Sequence, residues 1–231
     1  MIFSRLISQT RFLAGFSTRN ESVHDSAGTK AFHGAIFRVS QVHSSTVGTV
    51  TEEDTPHVVR GIELDGLVTG RPGILLTVWT ADCVPVLLAH RDGACVAAVH
   101  AGWRGLAAGI LGEAVDVMRS EFNADPDAIV ASVGPSIGKC CFEVGEDVAA
   151  RLVASCSEPG VIARKDGKPL ADLREIARLQ LLAASVPASG IEVIDECTRC
   201  NADLFFSHRR GNLTERQCGF IGILPEHPQR G

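Results

Sequence analysis

The sequence predicts an α+β fold, and three observations carry that reading. Apolar, β-branched runs follow one another with no helix between them, segments of helical spacing are inserted elsewhere, and glycine or proline marks most joints. Regular alternation of strand and helix is missing, as are internal repeats, heptad tracts and low-complexity linkers. In chain order, Ala35 to His43 alternates as a strand, with Phe37, Val39, Gln41 and His43 on one face and His43 at its exit. Ile74 to Thr80 is an apolar strand run, interrupted at Ala81-Asp82-Cys83 and resumed from Pro85 to His90, so Cys83 falls at a bend between strands. Arg91-Asp92-Gly93 supplies a turn before a strand from Ala94 to His100. Gly102 and Gly105 bracket Trp103-Arg104, and Leu106 to Phe122 then carries helical spacing, which sets His100 at a strand-to-helix turn. Downstream, Ala128 to Val133 reads as a strand, Asp147 to Ala154 and Ala171 to Ala184 as helices, Ile191 to Ile194 as a strand and Gln217 to Leu224 as a closing strand.

With 231 residues and 45% hydrophobic content the chain can bury a full core, and it is read as a single domain over 1–231, with 1–14 a segment open to flexibility. A formal net charge of −5 with no block of like charge argues against a nucleic-acid partner, because phosphate binding needs a clustered basic face. No apolar run approaches the ~20 residues that span a bilayer, so no membrane role is expected. Arg5 and Arg11 interrupt the apolar pieces of Met1 to Phe16, leaving no continuous secretory core. The eight cysteines are therefore expected as reduced thiols in a cytoplasmic protein.

Three short blocks place metal-capable side chains just past predicted strands: Gln41-Val42-His43, Ala81-Asp82-Cys83 and Val99-His100-Ala101-Gly102-Trp103-Arg104-Gly105. Two neutral imidazoles and a thiolate make a set that zinc accepts, and three protein ligands leave a fourth position for water or substrate. A packed core role for each, or a Cys83 nucleophile with His100 as its base, is the competing reading. Asp82 can carry protons at such a site, or form a salt bridge or cap a turn. Arg19 and Arg104 can each grip phosphate in a fork geometry, with a structural ion pair as the alternative for Arg104. The turn Gly134 to Lys139 can offer backbone amides and a cation to an anion. Cys197-x-x-Cys200 is half of a zinc ribbon or a redox pair, but no second such pair follows, and adjacent Cys140-Cys141 strain any disulfide between themselves.

The stretch from Asp65 to Gly105, DGLVTGRPGILLTVWTADCVPVLLAHRDGACVAAVHAGWRG, resembles the YfiH-like family, also called the laccase-domain or purine nucleoside phosphorylase family. Further matches are Phe16-Ser17-Thr18-Arg19, Gly134-Pro135-Ser136-Ile137-Gly138 with Cys140-Cys141-Phe142-Glu143-Val144-Gly145, and Cys197-Thr198-Arg199-Cys200 with Phe205-Phe206-Ser207-His208-Arg209-Arg210, so the resemblance spans roughly Gly15 to Leu224. It implies mixed β-sheets packed together and flanked by helices, a YfiH-like or cysteine-hydrolase-like fold. It also implies that His43, Cys83 and His100 are the metal-binding and catalytic trio, with Arg19 binding the anion and Cys197 to Cys200 a structural loop near the pocket. The interval from Asn20 to Ser40 is shorter than in the family, which removes part of the expected pocket wall.

The implied activity is zinc-dependent phosphorolysis of adenosine, inosine, guanosine or methylthioadenosine, with hydrolytic deamination of adenosine; the partners are a small nucleoside and phosphate. Two alternatives stand beside it. One is a cytoplasmic amidase that removes a wrongly attached amino acid from a cell-wall nucleotide precursor. The other is copper-dependent phenol oxidation, for which the sequence lacks a multi-copper histidine set, although one Cys/His site accepts copper adventitiously. Nothing in the sequence reports the oligomeric state.

Overall fold

Two β-sheets and a helical layer stack on one another in the computed structural model, which describes residues 1–8, 11–24, 28–32 and 35–225. The strands are β1 (Ile2–Phe3), β2 (Phe12–Phe16), β3 (Ile36–Phe37), β4 (Val47–Thr49), β5 (Gly66–Thr69), β6 (Leu75–Thr80), β7 (Val84–His90), β8 (Val96–Ala101), β9 (Ile129–Val133), β10 (Ile162–Lys165), β11 (Lys168–Ala171), β12 (Ile191–Val193) and β13 (Gln217–Ile223). The helices are α1 (Pro56–Val59), α2 (Trp103–Ala107), α3 (Ile110–Phe122), α4 (Glu146–Cys156) and α5 (Leu173–Ala183). One sheet runs β1-β2-β13-β6-β3, a second runs β12-β9-β7-β8-β5-β4, and β10-β11 form a separate hairpin. Both large sheets are mixed: β3/β6, β4/β5 and β9/β12 pair in parallel, while β2/β13, β6/β13, β5/β8, β7/β8 and β7/β9 are antiparallel.

The alternation of side chains explains the layering. In β7, Val84, Val86 and Leu88 pack toward α2 to α5, among Leu106, Ile110, Leu152 and Ile176. Its other face, Leu87 and Ala89, meets Phe16, Phe37, Leu76, Val78 and Ile221 of the first sheet. A strand covered on both faces has no polar side to show, which is why β7 and β8 read as continuous apolar runs. The outer face of the first sheet is closed by Val23 and Phe32 over Leu75 and Phe220. Within 1–14, β1 and the start of β2 are sheet-bound, and β2 pairs with β13 in the register Phe16↔Gly219.

Four connections, β3–β4, β5–β6, β6–β7 and β12–β13, cross from one sheet to the other, and two of them carry His43 and Cys83. The bend Ala81–Cys83 joins β6 to β7, and the loop after β3 leads to β4. That loop departs from the expected strand over 35–43, of which only Ile36–Phe37 is strand, with a further parallel bridge Ser40↔Glu63. The backbone N–H groups of Val42, His43 and Ser44 all donate to the Asp65 carboxylate, so they cannot enter a ladder. The helix expected over Leu106 to Phe122 is broken in two at Gly109, whose φ of 80° ends α2 and starts α3. The remaining predicted strands and helices lie within two residues of their observed ends.

Candidate metal centre and its cavity

Antiparallel pairing of β7 with β8 sets Val84 opposite Ala101 and Pro85 opposite His100, which brings Cys83, one residue before β7, beside His100. His43 arrives from the crossing loop. One ligand atom from each of His43, Cys83 and His100 lies within 4.8 Å of the other two. The two imidazoles meet edge to face, centroids 4.9 Å apart at 79°. His43 adopts φ 62° and Asp82 φ 90°, conformations that cost a non-glycine residue about 1–3 kcal/mol and persist only where surrounding contacts enforce them.

The chemistry of this donor set fits a zinc ion, and Gly102 gives an independent geometric test. A Cβ on Gly102 would fall 3.0 Å from His43 Cδ2, 3.2 Å from Cys83 Sγ and 3.7 Å from His100 Cε1, so the backbone lies close against the three side chains and a methyl group would press on His43 and Cys83. Gly102→Ala is expected to fold, because φ −69° and ψ 166° suit alanine, yet to retain less zinc than wild type. Elemental analysis beside a melting curve checks this; full zinc content in the variant would remove Gly102 from the site.

Asp65, fully buried, organises the trio. Its Oδ1 lies 2.7 Å from His100 Nδ1, and its carboxylate also accepts from Ser44 Oγ at 2.8 Å and from the three loop amides. A carboxylate on one imidazole nitrogen fixes the ring and turns Nε2 toward the metal position. Burial alone would raise the Asp65 pKa, but the hydrogen bonds from His100 and Ser44 outweigh it and hold the group at about 2. Burial would lower His100, yet its bonds to Asp65 and Cys83 raise it to about 9. Burial would raise Cys83, and the two imidazoles reverse that to about 6. The thiol is thus predisposed to ionise, as both a metal ligand and a nucleophile require.

His43, Cys83 and His100 form part of the wall of a cavity of about 480 Å³, a size that holds a small organic substrate. Trp79, Trp103 and Phe142 supply apolar wall, and Arg104, His208, Arg209 and Arg216 supply cationic or polar wall. Arg104 stacks on Trp103 at 4.4 Å and has no carboxylate partner among the described residues, so the ion pair considered from sequence is not formed. Arg19 lies outside this wall: its guanidinium donates to the Ala202 carbonyl at 2.6 Å and covers the Phe206 ring at 5.1 Å. Asp82 lines the cavity and makes no salt bridge among the described residues. Its Oδ1 accepts from Thr198 Oγ1 at 2.7 Å, and its Oδ2 accepts from Ser207 Oγ at 3.1 Å and Arg209 N–H at 2.8 Å.

The turn from Gly134 does not offer its amides to an anion. Those of Gly134, Ser136, Ile137 and Gly138 are taken by Pro85 O, Glu196 O, Asp82 O and Cys197 Sγ, and Lys139 pairs with Asp172 at 3.6 Å. The turn contributes Ile137 to the cavity wall instead. Sequence reasoning missed Asp65, Arg216 and the role of Thr198; only a buried acid opening the Asp65 to Gly105 stretch hinted at the first. Among the described residues, two groups of His, Cys, Asp or Glu have metal-binding proximity: the His43-Cys83-His100 trio and a set of four cysteines.

No helix among the described residues is long and apolar enough to cross a membrane. A family profile described as multi-copper polyphenol oxidoreductase laccase matches residues 17–224. Over 187 residues the chain is 39% identical to purine nucleoside phosphorylase YfiH of Escherichia coli strain K12, covering 80% of this chain and 73% of that one. It is 39% identical over 191 residues to adenosine deaminase RL5 of an unknown prokaryotic organism, covering 79% and 72%. The crystal structure of YlmD from Geobacillus stearothermophilus superposes with a TM-score of 0.84 at 30% identity, covering 96% of this chain and 94% of that one. Fold, trio-bearing motifs and relatives agree: the chain belongs to the YfiH-like, laccase-domain family.

Proposed function

We propose that this chain is a zinc-dependent purine nucleoside phosphorylase with adenosine deaminase activity. The observation that carries the reading is the convergence of His43, Cys83 and His100 in one cavity whose wall also holds aromatic rings and unpaired guanidinium charge. A zinc ion held by His43, Cys83 and His100 would supply Lewis acidity and activate water. Asp65 keeps His100 oriented and electron-rich. Trp79, Trp103 and Phe142 give a purine an apolar wall, and Arg104, free of a carboxylate partner among the described residues, is the cation best situated for phosphate. Arg19 would have to leave Phe206 and the Ala202 carbonyl to join it.

In phosphorolysis a phosphate oxygen attacks the anomeric ribosyl carbon, the bond to the purine nitrogen breaks, and the leaving base takes a proton. The proton comes from the attacking dihydrogen phosphate, and Asp82 is proposed to accept it and pass it to the base. A carboxylate offers about four acceptor positions, and three are filled by Thr198, Ser207 and Arg209, which leaves one on Oδ1 for substrate. In deamination, water adds to the purine ring before ammonia departs. The likeness to a relative named adenosine deaminase favours including this second reaction. Copper would fit the same donors, but neither metal-competent cluster among the described residues holds more than two histidines, so a multi-copper oxidase site has no support there.

The test is product identity. Zinc-loaded protein given adenosine and phosphate is expected to release adenine and ribose 1-phosphate, and without phosphate to form inosine. Turnover of neither adenosine nor methylthioadenosine, together with hydrolysis of an amino-acid-bearing cell-wall precursor, would replace this reading with the amidase.

A further inference from the structure

We propose that Cys140, Cys141, Cys197 and Cys200 form a second, structural metal site that binds one zinc ion as a tetrathiolate. The four Sγ atoms all lie within 4.8 Å of one another, with Cys141 and Cys200 at 3.3 Å and Cys140 at 3.7 Å from each. Tetrahedral zinc with Zn–S near 2.3 Å spaces its sulfurs about 3.8 Å apart, so the cluster closes on the ion with shifts of an ångström or less. A disulfide would use two of these thiols and leave two, whereas one ion uses all four. The second cysteine pair that the sequence did not provide as another CxxC is the adjacent Cys140-Cys141.

The fold delivers the two pairs to one place. β9 and β12 are parallel neighbours in the register Val133↔Val193, and the segments that leave them stay joined by the bridge Ser136↔Cys197. Gly138 N–H donates to Cys197 Sγ at 3.2 Å, the amide-to-sulfur bond that favours a thiolate. A Cβ on Gly138 would stand 3.2 Å from Cys140 Sγ and 3.3 Å from Cys197 Cβ, so the turn approaches the sulfurs as closely as a bare backbone allows. Zinc with four thiolates carries a net charge of −2, and three arginines lie near it, of which Arg174 is also paired with Asp195 at 2.8 Å. Arg210 donates to the carbonyls of Thr198 and Arg199, Arg199 reaches the Cys141 carbonyl at 3.5 Å, and Arg174 Nη2 lies 3.2 Å from the same Gly138 position. Binding releases the thiol protons to solvent and involves no redox change.

This site shares no residue with the His43-Cys83-His100 trio but holds parts of the cavity in place. Thr198, inside the Cys197–Cys200 turn, anchors Asp82, while Ile137 and Phe142 flank Gly138 and Cys141 and line the wall. The zinc would staple those two segments together.

Zinc analysis under reducing conditions tests the proposal on wild type, on Cys83→Ala and on the double variant Cys197→Ser/Cys200→Ser. Wild type is expected to hold two zinc ions per chain and each variant one. Zinc-edge X-ray absorption of Cys83→Ala, which folds independently of whether the double variant does, is expected to show sulfur neighbours only, near ~2.3 Å. A metal-free Cys83→Ala protein, nitrogen ligands on its zinc, or a Cys141–Cys200 disulfide in reduced wild type would overturn it. Cys83→Ala reads this site alone, and the difference between wild type and Cys83→Ala reads the first, so the two proposals fail separately.

Discussion

Replacing Asp65 by alanine is expected to destabilise the fold by about 3–5 kcal/mol and to strip the first metal centre in the same step. The carboxylate is fully buried and accepts from three consecutive amides, from Ser44 Oγ and from His100 Nδ1. Removing it leaves the imidazole without its acid and the loop that carries His43 without the group that shapes it. The variant's mid-transition denaturant concentration and its zinc content measure the two effects. Asp65→Asn keeps the volume but turns an amide N–H₂ toward donors, so an intermediate loss of stability and a 10–100-fold weaker metal affinity are expected. An Asp65→Ala protein as stable and as zinc-rich as wild type would show that the loop is held by something else.

Cys83→Ala is expected to lose the first zinc and nucleoside turnover together, with activity falling by more than about 10³-fold, since a metal contributes several kcal/mol to the transition state. The competing covalent reading also predicts dead Cys83→Ala protein, so the discriminating measurement is intact mass during wild-type turnover. No adduct is expected on Cys83. Its low pKa does not separate the readings, because His43 and His100 would depress it in either. His43 does separate them: it completes a three-point ligand set and has no required part in a cysteine–histidine pair. A substrate fragment trapped on Cys83 in active, metal-free protein would sink the zinc mechanism.

The trio and the long strands were legible because each leaves a local mark. An apolar run that ends in Ala81-Asp82-Cys83 can be seen without knowing its neighbours, and β7 and β8 are apolar on both faces because both faces are covered. What could not be read depended on partners far along the chain. The expected strand to His43 failed because Asp65, 22 residues on, takes its amides. The cysteine quartet needs the pairing of β9 with β12, which no spacing rule encodes. The β10-β11 hairpin was within reach and overlooked: Asp166-Gly167, at φ 50° and 77°, is the two-residue turn that such a dipeptide favours.

Two of the sheet-to-sheet crossings give the first centre a role in how fast the molecule comes apart. His43 and Cys83 sit on those crossings, and His100 belongs to the second sheet, so the three donors meet only once β7 has paired with β8 and Asp65 holds the loop of His43. An ion bound there would tie both crossings to the second sheet, and it is expected to close only after those contacts have formed. Interactions absent from the transition state change the escape rate from the native basin and leave the entry rate nearly untouched. Zinc should therefore lengthen the lifetime of the folded chain far more than it hastens folding, making its persistence under proteolysis a matter of kinetics set by metal supply.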